Sequence, residues 1–563
     1  MEKRKQEGVI MKLSGAEIII NMLERQGITT VAGIPGGSTL PIYDALGKSS
    51  IKHILSRHEQ GAGFIAQGMA RTTGKAAVCL ATSGPGVTNL LTAIADACLD
   101  SIPIIAITGQ VTNSLIGTDA FQEVDTYGLT IPITKHNFLV QSCEDLLEVI
   151  PEAFRIAESG RPGPVVIDVP KNIQNEVIEI KSWPEPYIKD EPVMFNEDNM
   201  ERALEMINKA ERPVLYVGGG VIAGDAVKEV QEFSKRNSIP AVSTLMGLGV
   251  FKDSDPGFLG MLGMHGARYT NMVMEEADLL IALGVRFDDR AVGKSNEFCC
   301  HADIIHVDID RSEIGKIKSS NLSVVGDVKL VLQDLCKSVP ESSRLEWNNR
   351  VAEIRSSNPR QLPDSEDFFH PINVIHKISE FVPDNTVICT DVGQHQMWVA
   401  QHYPFCGPRT LLTSGGLGTM GFGLPSAIGA ALADKERKVV CVSGDGSILM
   451  NIQELATLAE QQLNIKILIM NNNRLGLVRQ QQELFFEGRY VASTFKSNPD
   501  FASVAAGFGI VSADLGSEDD PEAALGRLLS FDGPCLINIP IGFENNVFPM
   551  VPPECANREM IGG

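Results

Sequence analysis

The apolar run Val439–Val442 stops at Gly444-Asp445-Gly446, and a second apolar run, Ile465–Met470, stops at Asn471-Asn472. Runs of this length between turn residues read as buried strands, and Met450–Gln461 between them reads as a helix. The interval from Asp445 to Asn472 is what one crossover helix and two short turns need before the chain returns beside its starting strand. That places Asp445 and Asn472 together at the ends of neighbouring parallel strands. A carboxylate and an amide oxygen in such a crevice suit Mg²⁺, which keeps positions open for water and phosphate oxygens, while the glycines let backbone N–H groups approach a diphosphate. Gly-Asp-Gly alone is a common turn; its ordered pairing with Asn471-Asn472 is what argues for a site.

The same order of elements occurs near the N-terminus. Ala77–Thr82 runs into Gly84-Pro85-Gly86, a helix follows through Cys98, and Ile102–Thr108 ends at Gly109-Gln110. Two equivalent doubly wound units are expected, although generic β-α-β units can look alike by chance. Between them, Pro213–Val217 leads to Gly218-Gly219-Gly220, Ala277–Leu283 to Gly284, and Ile304–Ile309 forms a third apolar run. This middle block could be taken for a nicotinamide-binding domain. Its glycines, however, are one residue off the G-x-G-x-x-G spacing, and Asp308 and Asp310 lie too far downstream for the ribose acid.

The Pro- and polar-rich stretches Lys181–Pro186 and Ser356–Asp367 fit linkers. A chain of 563 residues is too long for one core. The expected class is α/β, with three doubly wound parallel-sheet domains at 1–185, 193–350 and 368–545 and a C-terminal tail at 546–563. Ser14-Gly15-Ala16-Glu17 is a capping-box pattern opening a helix through Gln26, with a loose tail expected before it.

Composition removes several function classes. A formal charge of −22 disfavours nucleic acid and anionic membranes, so an anionic substrate must meet local positive groups. Eleven cysteines without a C-x-x-C pair indicate reduced thiols, with Cys299-Cys300 as core packing. Met1–Lys12 is charged and lacks an apolar centre, so a cytoplasmic location is expected rather than export or import into an organelle. The uncharged stretch Thr410–Ala433 carries six glycines and Pro425, which suits a ligand-lining loop and a buried helix better than a membrane span.

Taken together, the Gly-Asp-Gly…Asn-Asn pairing resembles that of the thiamine diphosphate (ThDP) enzymes. Within them the chain resembles the acetohydroxyacid synthase (acetolactate synthase) catalytic subunits. That likeness rests on Arg57-His58-Glu59-Gln60-Gly61-Ala62, Met261-Leu262-Gly263-Met264-His265-Gly266, Arg286-Phe287-Asp288-Asp289-Arg290 and Gly415-Gly416-Leu417-Gly418-Thr419-Met420-Gly421. These blocks span nearly the whole chain.

The resemblance implies decarboxylation of pyruvate and ligation of the remaining two-carbon unit to a second pyruvate or to 2-ketobutanoate. This is the first common step of branched-chain amino acid biosynthesis. It implies ThDP, Mg²⁺ and FAD as cofactors. Metal ligands would be Asp445, Asn472 and the backbone carbonyl of Arg474, whose cationic side chain should point away. Gly444, Gly446 and Ser447 would line the diphosphate. Met420 would be the apolar wedge under the bent cofactor, although its residue type alone reads as a core methionine.

Glu59 would hydrogen-bond the pyrimidine ring; it opens a Gly/Ala-rich helix, and burial there would raise its pKa. Gln110 is expected as a neutral donor to intermediates, and Gly36, Gly37, Ser83 and Phe121 as pocket lining. FAD would lie near Gly218, Gly219, Gly220, His265, Arg286, Asp308 and Asp327. Arg286 could also grip the acceptor carboxylate, the alternative for Arg286–Arg290 being a surface ion-pair cluster.

Gln481 stands where many relatives carry a tryptophan associated with 2-ketobutanoate preference, so weaker preference for the longer acceptor is expected. Implied partners are a second copy of the chain, with Glu59 and Asp445 of different subunits around one cofactor, and a small regulatory subunit. Two rival readings stand beside this one: another ThDP enzyme, such as a FAD-linked pyruvate oxidase or a 2-keto acid decarboxylase, and a noncatalytic nucleotide-binding assembly protein.

Overall fold

A computed structural model describes residues 11–363 and 366–562. Most of the N-terminal stretch Met1–Lys12 and part of the second linker lie outside the described residues. Three six-stranded parallel sheets flanked by helices carry three α/β domains.

The first sheet is ordered Lys52–Leu55, Thr30–Gly33, Ala77–Ala81, Ile104–Gln110, Val165–Pro170, His136–Leu139. The last is ordered Leu411–Leu412, Val387–Thr390, Val439–Gly444, Ile465–Asn471, Cys535–Pro540, Val511–Asp514. Numbered along the chain within each sheet, both read 2-1-3-4-6-5. Chance likeness of two β-α-β units does not extend to six strands, so the internal repeat is a repeat of topology. The middle sheet runs Phe258–Met261, Ala241–Ser243, Pro213–Val217, Leu279–Leu283, Asp303–Asp308, Leu322–Val325, which is the order 3-2-1-4-5-6 of dinucleotide-binding sheets. The glycine spacing argued against that class; the strand order supports it. Its switch point lies between Pro213–Val217 and Leu279–Leu283, the strands that end at Gly218 and Gly284.

By contact the chain divides into two compact units. One holds the chain up to Asp190 together with Gly416–Asp434 and Asn451–Leu463; the other holds Glu191–Gly415, Lys435–Met450 and the chain from Asn464. Two pieces of the last sequence block therefore pack with the first sheet. The cause is visible in the helix pair Glu59–Thr73 and Gly423–Ala433. A Cβ at Gly68 would lie 2.1 Å from the Ser426 carbonyl oxygen, and one at Gly429 2.0 Å from that of Ile65. Only glycine permits this backbone approach, and Phe64 meets Phe422 edge to face at 5.3 Å beside it. The uncharged Thr410–Ala433 stretch is thus a loop and a buried helix. Among the described residues no helix is long and apolar enough to cross a membrane.

Two expectations are corrected. Met11–Ser14 is not loose: it pairs antiparallel with Val177–Ile180 before the Ser14–Glu17 capping box opens the helix Gly15–Arg25. The crossover helix begins at Glu454 rather than Met450, because Asp445–Ile448 forms a separate short helix first. None of the eleven cysteines forms a disulfide; Cys299 is buried in the core, but its neighbour Cys300 is exposed.

Candidate active site

In the last sheet Val439–Gly444 pairs in parallel with Ile465–Asn471, and Gly444 registers with Met470. Asp445 and Asn472 therefore leave adjacent strands at the same edge. Both are buried. Asn498 Nδ2 donates to Asp445 Oδ2 at 2.6 Å and to Asn471 Oδ1 at 3.1 Å. Burial pushes the Asp445 carboxyl up to about 6, against the pull of Asn498 and the backbone N–H groups of Gly446 and Arg474. The Arg474 N–H donates to Asn472 Oδ1 at 3.1 Å, leaving that amide oxygen a second lone pair. The Arg474 guanidinium reaches the Thr494 hydroxyl and lies 4.6 Å from the Phe543 ring centre. Its charge is held on an aromatic face rather than on the carboxylate.

The donor set, one carboxylate and one amide oxygen with the Arg474 carbonyl expected beside them, is hard oxygen throughout and fits Mg²⁺. Asn498 Oδ1 is buried without a partner, an acceptor that the folded chain leaves unfilled beside Asp445. Ser447 Oγ donates to the Val392 carbonyl at 2.7 Å, which fixes the short helix after Asp445.

Sequence reasoning missed His395 and Gln394, which follow Gly393 at the end of strand Val387–Thr390. A Cβ at Gly444 would lie 2.9 Å from His395 Nδ1, so this imidazole packs on the Gly-Asp-Gly turn. Burial drives its pKa down to about 3, and its Nε2 is buried with no partner. A neutral ring with a buried, unpartnered nitrogen on the Gly-Asp-Gly turn can donate or accept a hydrogen bond there. Gln394 accepts from Asn472 Nδ2 at 3.4 Å and donates to Gln480 and to the Asn545 carbonyl. The one available signal was position: His395 stands directly after a strand end of the same sheet.

In the first sheet the residues expected around the ring side gather at the ends of Thr30–Gly33, Ala77–Ala81 and Ile104–Gln110. Glu59 opens its helix at the residue after the His58 N-cap, and Asn89 Nδ2 donates to its Oε2 at 3.0 Å. The helix beyond Gly61 is buried, but Glu59 itself is only half-buried, which corrects the expectation of a buried acid. It lies at the helix's mouth, where the macrodipole attracts a carboxylate. Ser83 N–H donates to Ser38 Oγ, and the Ser38 and Thr82 hydroxyls are 2.9 Å apart. Gly36 leans on Thr82, whereas a Cβ at Gly37 would meet nothing within 4 Å.

Gln110 is 2% exposed, and its amide is engaged: Nε2 donates to the Val124 carbonyl at 2.9 Å and to Asp168 Oδ2 at 3.1 Å. As a donor to a ligand it would first have to release these acceptors. Phe121, expected as pocket wall, is 88% exposed. Met420 is half-buried in the exposed loop before the Gly423–Ala433 helix.

At the switch point of the middle sheet, Gly218 and Gly220 leave room for Gly284: a Cβ on Gly220 would lie 2.6 Å from the Gly284 Cα. These glycines serve the crossing of two turns as well as any ligand. His265 is buried, with Nδ1 3.2 Å from the Pro549 carbonyl, and burial lowers its pKa to about 4. Arg286 is half-buried with no ion pair or hydrogen bond among the described residues, while Arg290 forms the surface pair with Asp289 at 3.7 Å. Asp308 accepts from the Asp310 N–H at the strand end, and Asp327 is the N-cap of Val328–Ser338, which occupies its carboxylate.

The C-terminal residues are not a free tail. Val551 N–H donates to the Met264 carbonyl and Asn557 Nδ2 to that of Ala291, so the tail clamps the loops on either side of Arg286. A small pocket opens there, lined by Met261, His265, Arg268, Arg360, His402 and Phe548 among others. Gln481 is half-buried on the helix Gly476–Phe485.

Comparison with known proteins gives three consecutive family matches: "Thiamine pyrophosphate enzyme, N-terminal TPP binding domain" over residues 13–129, its "central domain" over 200–335, and its "C-terminal TPP binding domain" over 391–539. The large subunit of acetolactate synthase isozyme 1 of Escherichia coli (strain K12) is 56% identical over 552 residues, covering 98% of both chains. The isozyme 2 large subunit of the same organism is 47% identical over 549 residues, 98% of this chain and 99% of the relative. Chloroplastic acetolactate synthase 1 of Nicotiana tabacum is 44% identical over 568 residues, 97% of this chain and 84% of the relative.

Proposed function

Because this chain belongs to the acetolactate synthase large-subunit family of thiamine diphosphate enzymes, we propose that its two half-sites hold ThDP between two copies of the chain. The activity is that of an acetolactate synthase. Bound ThDP supplies the electron sink that lets a 2-keto acid lose CO₂. The single observation that carries the site assignment is the buried Asp445–Asn472 oxygen pair, with the unfilled Asn498 Oδ1 and His395 Nε2 beside it.

On this reading Asp445, Asn472 and the Arg474 carbonyl hold Mg²⁺, and Gly444, Gly446, Ser447 and His395 face the diphosphate. Glu59 would hydrogen-bond the pyrimidine ring. The half-burial of Glu59 in one chain fits a group covered only when a second copy docks. Met420 would give the cofactor an apolar support. Gln110 exchanges its Asp168 or Val124 acceptor for a substrate oxygen. Arg286, with no ion pair or hydrogen bond among the described residues, binds either FAD or the carboxylate of the acceptor keto acid. FAD would occupy the middle domain, whose strand order suits a dinucleotide. Pyruvate and 2-ketobutanoate are the substrates. A small regulatory subunit is the partner, consistent with relatives being called large subunits. Eleven cysteines without a disulfide among them suit a reducing compartment such as the cytoplasm.

The product decides between this reading and the other ThDP chemistries. Purified chain with ThDP, Mg²⁺, FAD and pyruvate should yield acetolactate. Acetate or acetaldehyde as the main product would replace the carboligase with an oxidase or a decarboxylase.

A further inference from the structure

Arg71 is buried inside the first unit, its guanidinium facing two carboxylates: Nη2 lies 2.7 Å from Asp100 Oδ2 and 3.3 Å from Asp96 Oδ1. Gln67 Oε1 accepts from the same nitrogen at 2.8 Å. Such a cluster is a poor source of stability, because desolvating three charges costs about what their attraction returns. What it offers is fixed geometry. Two carboxylates around one guanidinium have acceptor lone pairs to spare, and these are spent on the loop before the Gly423–Ala433 helix. Asp100 Oδ1 accepts from the Gly416 N–H at 2.7 Å, and Asp96 Oδ2 accepts from Thr419 Oγ1 at 2.8 Å. The Arg71 guanidinium also lies 5.0 Å from the Phe422 ring centre, and Asn451 Nδ2 donates to the Gly421 carbonyl at 2.8 Å. The loop is therefore held at residues 416, 419, 421 and 422.

Between those points stands Met420. Gly416, Leu417 and Gly418 are exposed, so without these tethers a glycine-rich segment would sample many conformations at little cost. We infer that the buried Arg71–Asp96–Asp100 cluster, through Thr419, is a positioning device that sets the height of the Met420 side chain under the cofactor. This rests on the reading of Met420 as the cofactor support. Arg71, Asp96 and Thr419 are positioning residues, acting through Met420 and touching no substrate.

Thr419 is the place to test it, since its hydroxyl belongs to the half-buried loop and its loss leaves the ion pairs intact. Three variants are compared with the parent enzyme: Thr419→Val, which keeps the shape and loses the hydroxyl; Thr419→Ser, which keeps the hydroxyl; and Met420→Ala. The readouts are ThDP affinity of the apoenzyme by intrinsic fluorescence quenching, kcat and pyruvate KM at saturating ThDP, and Tm. For Thr419→Val we expect ThDP affinity and kcat each to fall about tenfold, the order a small misplacement of a catalytic support costs. Pyruvate KM and apoenzyme Tm should stay at the parent values, and Thr419→Ser should restore both losses. Parent-like affinity and kcat in Thr419→Val, with Met420→Ala impaired, would overturn the tether and leave the support reading standing. A parent-like Met420→Ala would overturn both. A Thr419→Val variant that loses Tm in proportion to activity would show a merely structural threonine and also overturn the inference.

Discussion

Glu454 Oε1 accepts the backbone N–H of Arg57 at 2.9 Å, a bond between positions 397 apart in sequence. The glutamate is fully buried, and a Cβ on Gly61 would come 2.5 Å from its carboxylate oxygen, so it sits against the first turn of the helix that Glu59 opens. Burial raises its pKa while Thr457 and the backbone of Arg57 and His58 oppose the rise. Glu454 follows the metal-side turn in sequence and packs with the first sheet, tying the orientation of Glu59 to a segment that separates Asp445 from Asn472.

Asn498 is predicted to govern metal affinity through its hold on Asp445. Its amide holds Asp445 Oδ2 and Asn471 Oδ1 in place. Losing such a support typically costs ten- to a hundredfold in metal affinity. Asn498→Ala should shift the Mg²⁺ titration of ThDP binding by about that factor, and an unchanged Mg²⁺ dependence would remove Asn498 from the site.

Gln481 predicts acceptor choice. A polar side chain forfeits apolar contact with the extra methylene of 2-ketobutanoate, a term of about 1 kcal/mol. Gln481→Trp should raise the preference for 2-ketobutanoate over pyruvate roughly fivefold in a competition assay. Strong 2-ketobutanoate preference in the parent enzyme would contradict this.

Gly429→Ala pits helix propensity against packing. Alanine gains about 1 kcal/mol in a helix interior. Here its Cβ would meet the Ile65 carbonyl oxygen at 2.0 Å, and the overpacking term of about 3 kcal/mol wins. Thermal unfolding should show a clear loss for Gly429→Ala and none for Gly507→Ala, a helical glycine with nothing within 4 Å of its Cβ.

His402 carries an acid-sensitivity prediction. Burial and the neighbouring Arg360, His376 and His370 lower its pKa from 6.5 to about 3. The folded state favours the neutral ring, so its contribution is complete above pH 6.5 and is lost as pH falls toward 3. Between pH 7.5 and 5 the loss is about 2 kcal/mol. His402→Gln lacks the titration, so its stability relative to the parent should improve by about that amount over the same interval, and parallel stability curves would refute the assignment.

Much of this was legible in the sequence because it is local. Strand-end glycines, the Asp445–Asn472 order and the capping box at Ser14 follow from periodicity and turn chemistry over a few residues. The misses are non-local. Lone polar residues such as His395, Glu454 and Asn498 carry no pattern that reveals burial, and their roles appear only when the fold brings His395 and Asn498 to the Gly444–Asp445 turn and Glu454 to the helix that Glu59 opens. Gly68 and Gly429 look like ordinary helix breakers until the two helices cross. The middle sheet misled for a different reason: its glycines also serve the contact between Gly220 and Gly284, so their spacing departs from the dinucleotide fingerprint while the strand order keeps it.

The central claim, one cofactor held by Glu59 of one subunit and Asp445 of another, is tested most directly by mixing two inactive variants. Glu59→Gln and Asp445→Asn should each abolish ThDP-dependent acetolactate formation. Unfolded together and refolded at equal amounts, they form mixed dimers in which one of the two sites is intact, and activity should return to about a quarter of the parent value. If the mixture stays as inactive as either variant alone while mixed dimers are shown to form, the shared-site account is wrong.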